Sequence, residues 1–393
     1  MKDNNSRIAL VHDFLVHVRG GEKTFLALHE LYPTAPVYVL VANRNKVTEL
    51  NGMDIRESFV GKLPFARRHF RSFLLLYPLA TESFDLSTYD LVISSSALFV
   101  KNVRVGPRTC HICYCHTPNR HLWNDAAEAT APEANARLGS LLLPPVLDYL
   151  RRWDESCSHR VDYFVANSKT TALRIARYYG RTAEVIHPPV DVDFFSPSND
   201  YQDYFLVVAH LVPYKRVDLA VWAFASLRDR LVIVGKGPEW GRLHHLAGPN
   251  VTFLGSVSPE RLRSLYERCR ALIVPTLEDF GIATVEAQAC GKPVIAYRGG
   301  GSTEIVLEGQ TGVFFEEQTW ESLLAALERF KQMHFNPLDI RTNAERFSKD
   351  VFRERIRTFV EAKLAEFQNG RNRRGEGRGP AHPAMRHQGG RER

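Results

Sequence analysis

Short apolar runs bounded by turn residues recur along the chain, and stretches with helical periodicity lie between them. This alternation is typical of α/β proteins, in which parallel strands are joined by crossover helices. The runs occupy residues 8–11, 37–41, 91–94, 110–115 and 163–166 in the first half and residues 204–208, 231–234, 251–254, 271–274 and 293–296 in the second. Each half is therefore predicted to form its own doubly wound, mostly parallel sheet.

Two prolines, Pro188 and Pro189, lie between the two halves. Proline fixes φ and has no N–H to donate to a sheet, so a domain boundary is expected at this point. The sequence thus predicts a first domain at residues 1–188 and a second at residues 189–346. Ligands of such paired domains bind in the cleft between the carboxyl ends of the strands.

The end of the chain contains two segments that differ in sequence pattern from the two domains. Residues 347–369 are predicted to form a C-terminal helix, because apolar residues recur there every three or four positions, namely Val351, Phe352, Ile356, Phe359, Val360 and Leu364. The Gly/Arg-rich tail at residues 370–393 has little to bury and is predicted to be disordered.

Composition narrows the class of protein. The chain has 393 residues, of which 44% are hydrophobic, enough for two cores. The net charge is +7, but seven Arg and two Glu in residues 370–393 contribute +5 of it, which leaves +2 for the body. That is too little for the clustered basic surface of a nucleic-acid binder, so no nucleic-acid partner is expected. Six cysteines are too few for a disulfide scaffold. Residues 1–10 lack the apolar core of a secretory signal, so a cytoplasmic location is expected.

One basic and aromatic segment, residues 62–79, bears on membrane contact. It interleaves Lys62, Arg67, Arg68 and Arg71 with aromatic and aliphatic residues and contains no acid. Such a pattern suits an anionic membrane surface, here the inner face of the cell membrane. An ordinary amphipathic helix packed on its own domain fits the same pattern, and both interpretations stay open.

Residues that could bind a phosphate follow the first predicted strand of each half. Gly20 and Gly21 precede a helical stretch; paired glycines let the backbone approach a ligand, and a helix N-terminus favours phosphate. Lys215 and Arg216 also precede a helical stretch, where two cations suit a diphosphate. A simple turn and a solvated helix start are the alternatives.

Cysteines and histidines cluster at residues 110–116. Zinc is one interpretation, but alternate strand residues face opposite sides, so Cys110 points away from Cys113 and Cys115. Buried cysteines that act as small hydrophobes are favoured. His116 ends the strand, and a polar role at the cleft is favoured for it over a place in the core.

The most specific segment carries two carboxylates eight residues apart, Glu278 and Glu286, on either side of a glycine turn at Gly281. Two such acids can hold the hydroxyls of one ligand at two points. Glycoside hydrolysis would require carboxyl groups on opposite sides of the scissile bond, which one loop and its own helix do not easily supply.

These motifs, in this order, resemble the retaining glycosyltransferases of family 4, which have the GT-B fold. The resemblance extends over about residues 7–365 and rests on the Glu-x7-Glu segment, Val212-Pro213-Tyr214-Lys215-Arg216, Gly235-Lys236-Gly237-Pro238, Phe253-Leu254-Gly255, Gly299-Gly300-Gly301 with Glu304, and Gly309-Gln310-Thr311-Gly312. Three further motifs look most like bacterial GDP-mannose-type mannosyltransferases that build surface polysaccharides or lipopolysaccharide: His116-Thr117-Pro118-x-Arg120, Pro188-Pro189-Val190-Asp191 and Gly312-Val313-Phe314-Phe315.

The resemblance implies a role for each candidate residue. Lys215 would neutralise the donor diphosphate, Glu278 would contact the donor sugar, and His116 would reach the sugar or the reacting centre; these three are the catalytic candidates. The donor-binding candidates are Gly20, Gly21, His210, Lys215, Arg216, Glu286 and the backbone of Phe280, Gly281 and Ile282.

Three positions depart from the family pattern. His210 replaces the usual Arg, so a group that is mostly neutral at pH 7 stands where a permanent charge is common, and Arg216 is a candidate for compensation. Ala283-Thr284 replaces the commoner Val-Pro and is expected to add a hydroxyl near the sugar. Asn124 stands where Asp is frequent, on the expected acceptor side.

The expected reaction is transfer of a hexose, with mannose favoured, from a nucleotide diphosphate sugar to a glycan or lipid-linked glycan, with retention at the anomeric carbon. GDP-mannose is the favoured donor and a UDP-sugar is possible. No metal is expected, although Asp191-Val192-Asp193 imitates a metal-binding motif. A nucleotide-sugar epimerase of the same fold and a non-catalytic nucleotide-sugar binder are the alternatives.

Overall fold

A computed structural model describes residues 6–123, 143–198 and 201–376. The strands are β1 (Ile8–Leu15), β2 (Val37–Ala42), β3 (Ile55–Glu57), β4 (Leu91–Ser96), β5 (Cys110–Cys115), β6 (Tyr163–Ala166), β7 (Ala183–Val185), β8 (Tyr204–Val208), β9 (Arg230–Val234), β10 (Val251–Gly255), β11 (Leu272–Val274), β12 (Val294–Tyr297) and β13 (Gly312–Phe315). The α-helices are α1 (Gly20–Leu31), α2 (Ala66–His69), α3 (Tyr77–Glu82), α4 (Arg120–Trp123), α5 (Leu143–Cys157), α6 (Lys169–Tyr179), α7 (Val217–Ala225), α8 (Trp240–Leu246), α9 (Pro259–Arg268), α10 (Ile282–Ala289), α11 (Ser302–Ile305), α12 (Trp320–Lys331), α13 (Pro337–Glu345) and α14 (Lys349–Glu376).

The strands form two parallel sheets. The first has the order β3-β2-β1-β4-β5-β6-β7 and the second the order β10-β9-β8-β11-β12-β13. Both orders reverse direction beside their first strand, between β1 and β4 and between β8 and β11, and such switch points open a crevice at the carboxyl ends of the strands. The prediction of two doubly wound, Rossmann-like sheets is confirmed.

All ten predicted strands are present, and three further strands lie at sheet edges. Two of these, β3 and β7, have three residues each and expose their central Arg56 and Glu184, so they lack the apolar run that marked the others. The third, β13, is fully buried and pairs with β12. The central strands are buried on both faces, as parallel strands covered by helices are, which explains their continuous apolar runs.

The cysteines of β5 behave as predicted. Cys110 packs in one apolar cluster of the first sheet, while Cys113 and Cys115 pack in another. All three are buried free thiols. The zinc interpretation has no support from this arrangement.

Helix α14 returns from the second sheet to the first. Phe352, Ile356, Val360 and Leu364 are buried in the core of the first sheet, where the Phe352 ring lies 5.8 Å from that of Tyr114. Two details of the prediction were wrong. Val351, counted on the apolar face, is 40% exposed because it lies about a quarter turn from Phe352. The helix also continues past residue 370 to Glu376; the rest of the predicted disordered tail, 377–393, lies outside the described residues.

The basic and aromatic segment at residues 62–79 is not one amphipathic helix. Helix α2, a 3-10 stretch (Phe70–Leu76) and α3 follow one another, and Phe65 begins the series with a left-handed φ of 60°. Some apolar side chains pack inward, as Tyr77 does at 1% exposure. Others remain on the surface, including Phe65 at 78%, Leu75 at 57% and Leu79 at 63%. In the described ranges, no helix has the length and apolarity that crossing a bilayer requires.

Candidate active site

The candidate residues meet where the carboxyl ends of the two sheets face each other. From the first sheet come the start of α1 and the end of β5; from the second come the loops after β8 and β11. Lys23 of α1 bonds Glu286 of α10, a contact 263 residues apart in the chain that joins the two sides. The cleft predicted from the strand ends is therefore a direct contact region between the sheets.

Lys215 and Glu278 form an ion pair at the centre of this region. Lys215 ends a 3-10 turn (Pro213–Lys215) after β8, and its Nζ lies 2.5 Å from Glu278 Oε1. The side chains are 14% and 23% exposed. Burial is the largest single influence and opposes the charge of Lys215, but Glu278 and Tyr214 together outweigh it, so the pKa of Lys215 lies above its usual value. Lys215 is therefore a permanent cation at neutral pH.

Glu286 lies in the middle of α10 and is 6% exposed. Its Oε2 accepts a hydrogen bond from the Tyr266 hydroxyl at 3.0 Å, and its Oε1 accepts one from Lys23 Nζ at 3.2 Å. Burial and the adjacent Glu286 raise the pKa of Tyr266 well above its usual value, so the hydroxyl keeps its proton. The carboxylate is thus held in one orientation with its oxygens at the cleft. Lys23 and Tyr266 are absent from the sequence prediction, since neither belongs to a motif.

The loop that carries Glu278 is shaped by close backbone packing. Gly300, at φ +61°, approaches so near that a Cβ there would stand 2.1 Å from the Glu278 carbonyl oxygen. The Gly301 N–H donates to that same oxygen at 2.8 Å. A side chain at either glycine would displace the loop. Phe280 is 3% exposed, and its ring packs against Phe347, so its side chain belongs to the core.

Helices α1 and α10 present their N-termini to each other. The sequence predicted that Gly20 and Gly21 precede the helix, but Gly20 is the first residue of α1. A Cβ at Gly20 would stand 2.9 Å from Ile282 Cδ1, at the start of α10. Gly281 caps α10 with a φ of +106°. A Cβ at Gly21 would stand 3.7 Å from His116 Nε2. The two glycines therefore lie between the second sheet's loop and the end of β5.

His116 is one member of a hydrogen-bonded chain with Ser95 and His12. His116 Nε2 lies 2.8 Å from Ser95 Oγ, and His12 Nδ1 lies 2.9 Å from the Ser95 carbonyl. A carbonyl can only accept, so His12 carries its proton on Nδ1. Burial and the neighbouring His12 lower the pKa of His116 to about 3, and burial lowers that of His12 to about 4. Both imidazoles are neutral at pH 7.

Two of the predicted donor-binding residues have local partners. His210 is exposed, and its Nδ1 donates to the Lys236 carbonyl at 2.6 Å. Arg216 adopts a left-handed φ of 50° at the start of α7, where its Nε lies 3.4 Å from Asp218 Oδ1. The charge of Arg216 is thus directed to its own helix start.

Asp279, which the sequence reasoning did not single out, is contacted by two arginines from the first sheet's side. Arg120 of α4 lies 2.5 Å from Asp279 Oδ2, and Arg174 of α6 bonds Asp279 Oδ1. The Arg120 guanidinium also lies 5.4 Å from the centre of the Tyr214 ring. Arg120 belongs to the His116-Thr117-Pro118-x-Arg120 motif, whereas no local sequence pattern distinguishes Arg174.

Two further expectations concern other positions. Thr284 is completely buried, and a Cβ at Gly281 would lie 3.1 Å from its Oγ1, so its hydroxyl lies beneath the loop. The expectation of a hydroxyl near the sugar stays a prediction. Asn124 lies outside the described residues.

The acidic pair that imitates a metal-binding motif is bound to cations. Asp191 pairs with Lys349 at 2.5 Å and Asp193 with Arg341 at 3.6 Å. Across the described ranges, no group of three or more metal-ligating side chains comes together.

Two family models match consecutive parts of the chain. Residues 18–194 match Glycosyltransferase Family 4, and residues 191–347 match Glycosyl transferases group 1. Together with the two Rossmann-like sheets, they make the chain a glycosyltransferase family 4-like protein with the GT-B fold.

Relatives and solved structures agree with that class. The chain is 30% identical over 222 residues to the GDP-mannose-dependent alpha-(1-6)-phosphatidylinositol monomannoside mannosyltransferase of Mycolicibacterium smegmatis, which covers 48% of this chain and 57% of that protein. It is 30% identical over 161 residues to an uncharacterized glycosyltransferase of Methanocaldococcus jannaschii, covering 40% of this chain and 46% of that protein. The chain thus spans about half the length of the curated relatives it matches. Its fold is similar to that of Anabaena Alr3699/HepE in complex with UDP, with a TM-score of 0.66 and 17% identity over 91% of this chain and 100% of that chain.

Proposed function

We propose that the protein is a retaining hexosyltransferase that moves a hexose, with mannose favoured, from a nucleotide diphosphate sugar to a glycan or lipid-linked glycan. The observation that carries this proposal is the pairing of Lys215 with Glu278 at 2.5 Å, beside the buried and oriented Glu286. A nucleotide sugar carries phosphates, which a cation can bind, and hydroxyl groups, which carboxylates can bind. One cation and two carboxylates therefore complement a nucleotide sugar.

The donor would lie across the loops of the second domain, proposed at residues 189–346. Glu286 would accept hydroxyl protons of the ribose, as Tyr266 holds its carboxylate in place. Lys215 would move from Glu278 to the diphosphate, where the N-termini of α1 and α10 add partial positive charge. Glu278, released from Lys215, would then accept hydroxyl protons of the sugar. Arg216, His210 and the backbone of residues 280–282 would complete the donor site.

Transfer would follow a front-face displacement. The bond between the anomeric carbon and the diphosphate oxygen breaks, the acceptor oxygen bonds to the same face of that carbon, and the acceptor proton passes to the departing diphosphate. Stabilising the departing charge is the main catalytic task, and Lys215 supplies it. The neutral His116 would offer a hydrogen bond to the sugar without adding charge.

The remaining assignments concern donor, acceptor and setting. A GDP-mannose donor is supported by the name of the Mycolicibacterium relative, while the UDP bound to the Anabaena protein keeps a UDP-sugar open. The first domain, proposed at residues 1–188, would bind the acceptor, with the helix at 347–369 packed on it. Synthesis of surface polysaccharide or lipopolysaccharide is the proposed role.

Peripheral contact with an anionic membrane belongs to the same proposal. Phe65, Leu75 and Leu79 of the segment at residues 62–79 are exposed, as are its cations Arg67 and Arg68, and we call these five residues the basic apolar patch. Apolar side chains that enter the interface and cations that attract anionic headgroups are the two parts of interfacial binding. A lipid-linked acceptor would be presented at such a surface.

Calorimetric titration with GDP-mannose, UDP-glucose, UDP-N-acetylglucosamine, GDP and UDP tests the donor site. We expect GDP-mannose to bind most tightly and to raise the midpoint of thermal unfolding, because a ligand of the native state stabilises it by mass action. Glu286→Gln should weaken binding about tenfold or more, the worth of a hydrogen bond to a charged group, while the exposed Glu317→Gln should not. Tighter binding of a UDP-sugar would contradict the assignment of GDP-mannose as the donor. If none of the five compounds binds, the proposed donor site is wrong. Turnover of the donor without acceptor to an epimeric sugar would identify an epimerase.

A further inference from the structure

The structure joins the two domains through one carboxylate of the donor loop. Asp279 lies between β11 and α10, and each of its oxygens bonds a different arginine of the first domain: Oδ2 with Arg120 of α4, at 2.5 Å, and Oδ1 with Arg174 of α6. We call these three residues the arginine clasp.

The clasp is well shielded from water. The side chains of Asp279 and Arg174 are each 16% exposed, and that of Arg120 is 23% exposed. Shielded charge pairs are screened less by salt than surface pairs, and hydrogen bonds between charged groups are the strong ones. Lys23, which bonds Glu286 across the same cleft, is by contrast 54% exposed.

The clasp is connected to the reacting end of the site by sequence and by contact. Asp279 directly follows Glu278, so a force on the Asp279 carboxylate acts on the backbone that places Glu278. Arg120 and Lys215 lie over the same Tyr214 ring, at 5.4 and 5.2 Å from its centre. The clasp and the Lys215–Glu278 pair therefore form one continuous network.

Helix α6 is attached to the second domain at two points. Its first residue, Lys169, donates its backbone N–H to Glu304 Oε1 at 2.8 Å, and Arg174 lies between one and two turns further on. Glu304 Oε2 also lies 2.9 Å from His187 Nε2. These two attachments link the position of α6, and with it the first domain, to the donor loop.

We propose that the arginine clasp closes the first domain onto the donor loop and sets Glu278 for transfer, with Asp279, Arg120 and Arg174 as positioning residues. The proposal rests on the proposed function in one respect, that transfer takes place at Lys215 and Glu278. The main donor contacts, Lys215 and Glu286, both belong to the second domain. Donor binding therefore survives loss of the clasp, whereas transfer requires it.

Asp279→Asn tests this, because it removes the charge and keeps the size of the side chain. We expect kcat to fall about a hundredfold, as after a misplacement of about 1 Å, while the dissociation constant for the nucleoside diphosphate hardly changes. The radius of gyration in solution scattering should rise as the domains separate. Arg174→Gln, which leaves the bond between Arg120 and Asp279 in place, should have the same kind of effects to a smaller extent. The double variant should lose no more than Asp279→Asn alone, since Asp279→Asn already removes the partner of Arg174. Arg174→Lys, which keeps the charge, should restore part of the rate.

The matched control is Arg353→Gln, which breaks the exposed pair of Arg353 with Glu30. It should leave kcat and the radius of gyration unchanged. Wild-type kcat and radius in Asp279→Asn would overturn the proposal, and so would an equal loss of nucleotide affinity, which would make Asp279 a donor ligand. If the wild type binds no nucleotide sugar, the proposed function is wrong. The scattering comparison needs no ligand, so it still tests whether the arginine clasp holds the two domains together. If Asp279→Asn does not fold, Arg174→Gln and Arg174→Lys decide in its place.

Discussion

Lys215 has two successive partners in the proposed reaction. Before the donor binds, its ammonium neutralises Glu278 at 2.5 Å, and both groups are largely shielded from water. With the donor bound, the same charge serves the diphosphate. Removal of this one side chain therefore leaves a shielded carboxylate without its cation and a leaving group without its counter-charge.

We predict that Lys215→Met lowers kcat by a factor of about 10² to 10³, the effect of removing one group that stabilises developing charge in a transition state. Methionine keeps most of the side-chain length, so the fold should persist. Steady-state kinetics with the best donor of the titration measure the effect, and the exposed Lys46→Met is the control. A wild-type rate in Lys215→Met would contradict the assigned role.

Burial of histidines makes stability depend on pH. The pKa values of His12 and His111 are lowered to about 4 and that of His116 to about 3, chiefly by burial. The unfolded chain, with ordinary values of about 6.5, binds more protons at acid pH. The stabilising contribution is therefore complete above about pH 6.5 and is lost as the pH falls toward the folded values, with a slope of up to about 1.4 kcal/mol per pH unit for each histidine.

We predict that His111→Asn reduces this slope, measured as the change in the free energy of urea unfolding between about pH 4.5 and 7.5. His111 is fully buried between Ser94 and the Arg160 carbonyl, so removal of the imidazole removes one titrating group. The exposed His245→Asn should leave the slope as it is in the wild type. Equal slopes in His111→Asn and the wild type would show that His111 does not titrate differently on folding.

At the scale of elements, the segment at residues 62–79 has the composition of an interfacial helix, but it does not form one continuous helix. The left-handed Phe65 and the change from α2 to a 3-10 stretch turn its side chains in several directions. Part of the apolar surface consequently packs on the first domain, and part forms the basic apolar patch. Packing on its own domain therefore describes one part of the segment, and contact with an anionic membrane stays a proposal for the exposed part.

We predict that replacing Lys62, Arg67 and Arg68 with Gln weakens binding to vesicles that contain anionic lipid by about 3 kcal/mol, or roughly a hundredfold. Each of these cations is exposed, although Arg67 also lies 3.3 Å from Glu57. Vesicle cosedimentation measures the partition. The control replaces three exposed arginines of the second domain, Arg228, Arg230 and Arg268, and removes the same charge. Equal binding by the wild type and both triple variants would exclude the patch as a membrane contact.

At the scale of the molecule, the chain crosses between domains at more places than the prolines at 188–189. Helix α14 follows the second sheet in sequence and buries Phe352 and Leu364 in the core of the first. The clasp, Lys23 with Glu286, and Glu304 with the start of α6 join the two sides of the cleft. The proposed catalytic arrangement is therefore a property of the assembled pair of domains.

The sequence indicated strands well because their apolar runs are a local signal, and the missed edge strands β3 and β7 have no such run. Lys215, Glu278, Gly20 and His116 were singled out because each follows the end of a strand, where parallel sheets assemble their ligand sites. Glu286 was singled out because it lies eight residues after Glu278. Lys23, Tyr266 and Arg174 were missed because each lies within a helix. The spacing of apolar residues in a helix indicates which side chains are buried, but it does not indicate which polar side chains contact a distant residue. Their partners are 20 to 263 residues away in the chain.

By itself the sequence determined the two parallel sheets and the strand ends at which the candidate site lies, since hydrophobic periodicity and turn residues act over a few neighbouring positions. Only the tertiary structure decided which charges meet. The pairing of Lys215 with Glu278, the clasp on Asp279 and the neutral state of His116 depend on distance and burial across the cleft. Electrostatic interactions act through space, so no local pattern along the chain encodes them.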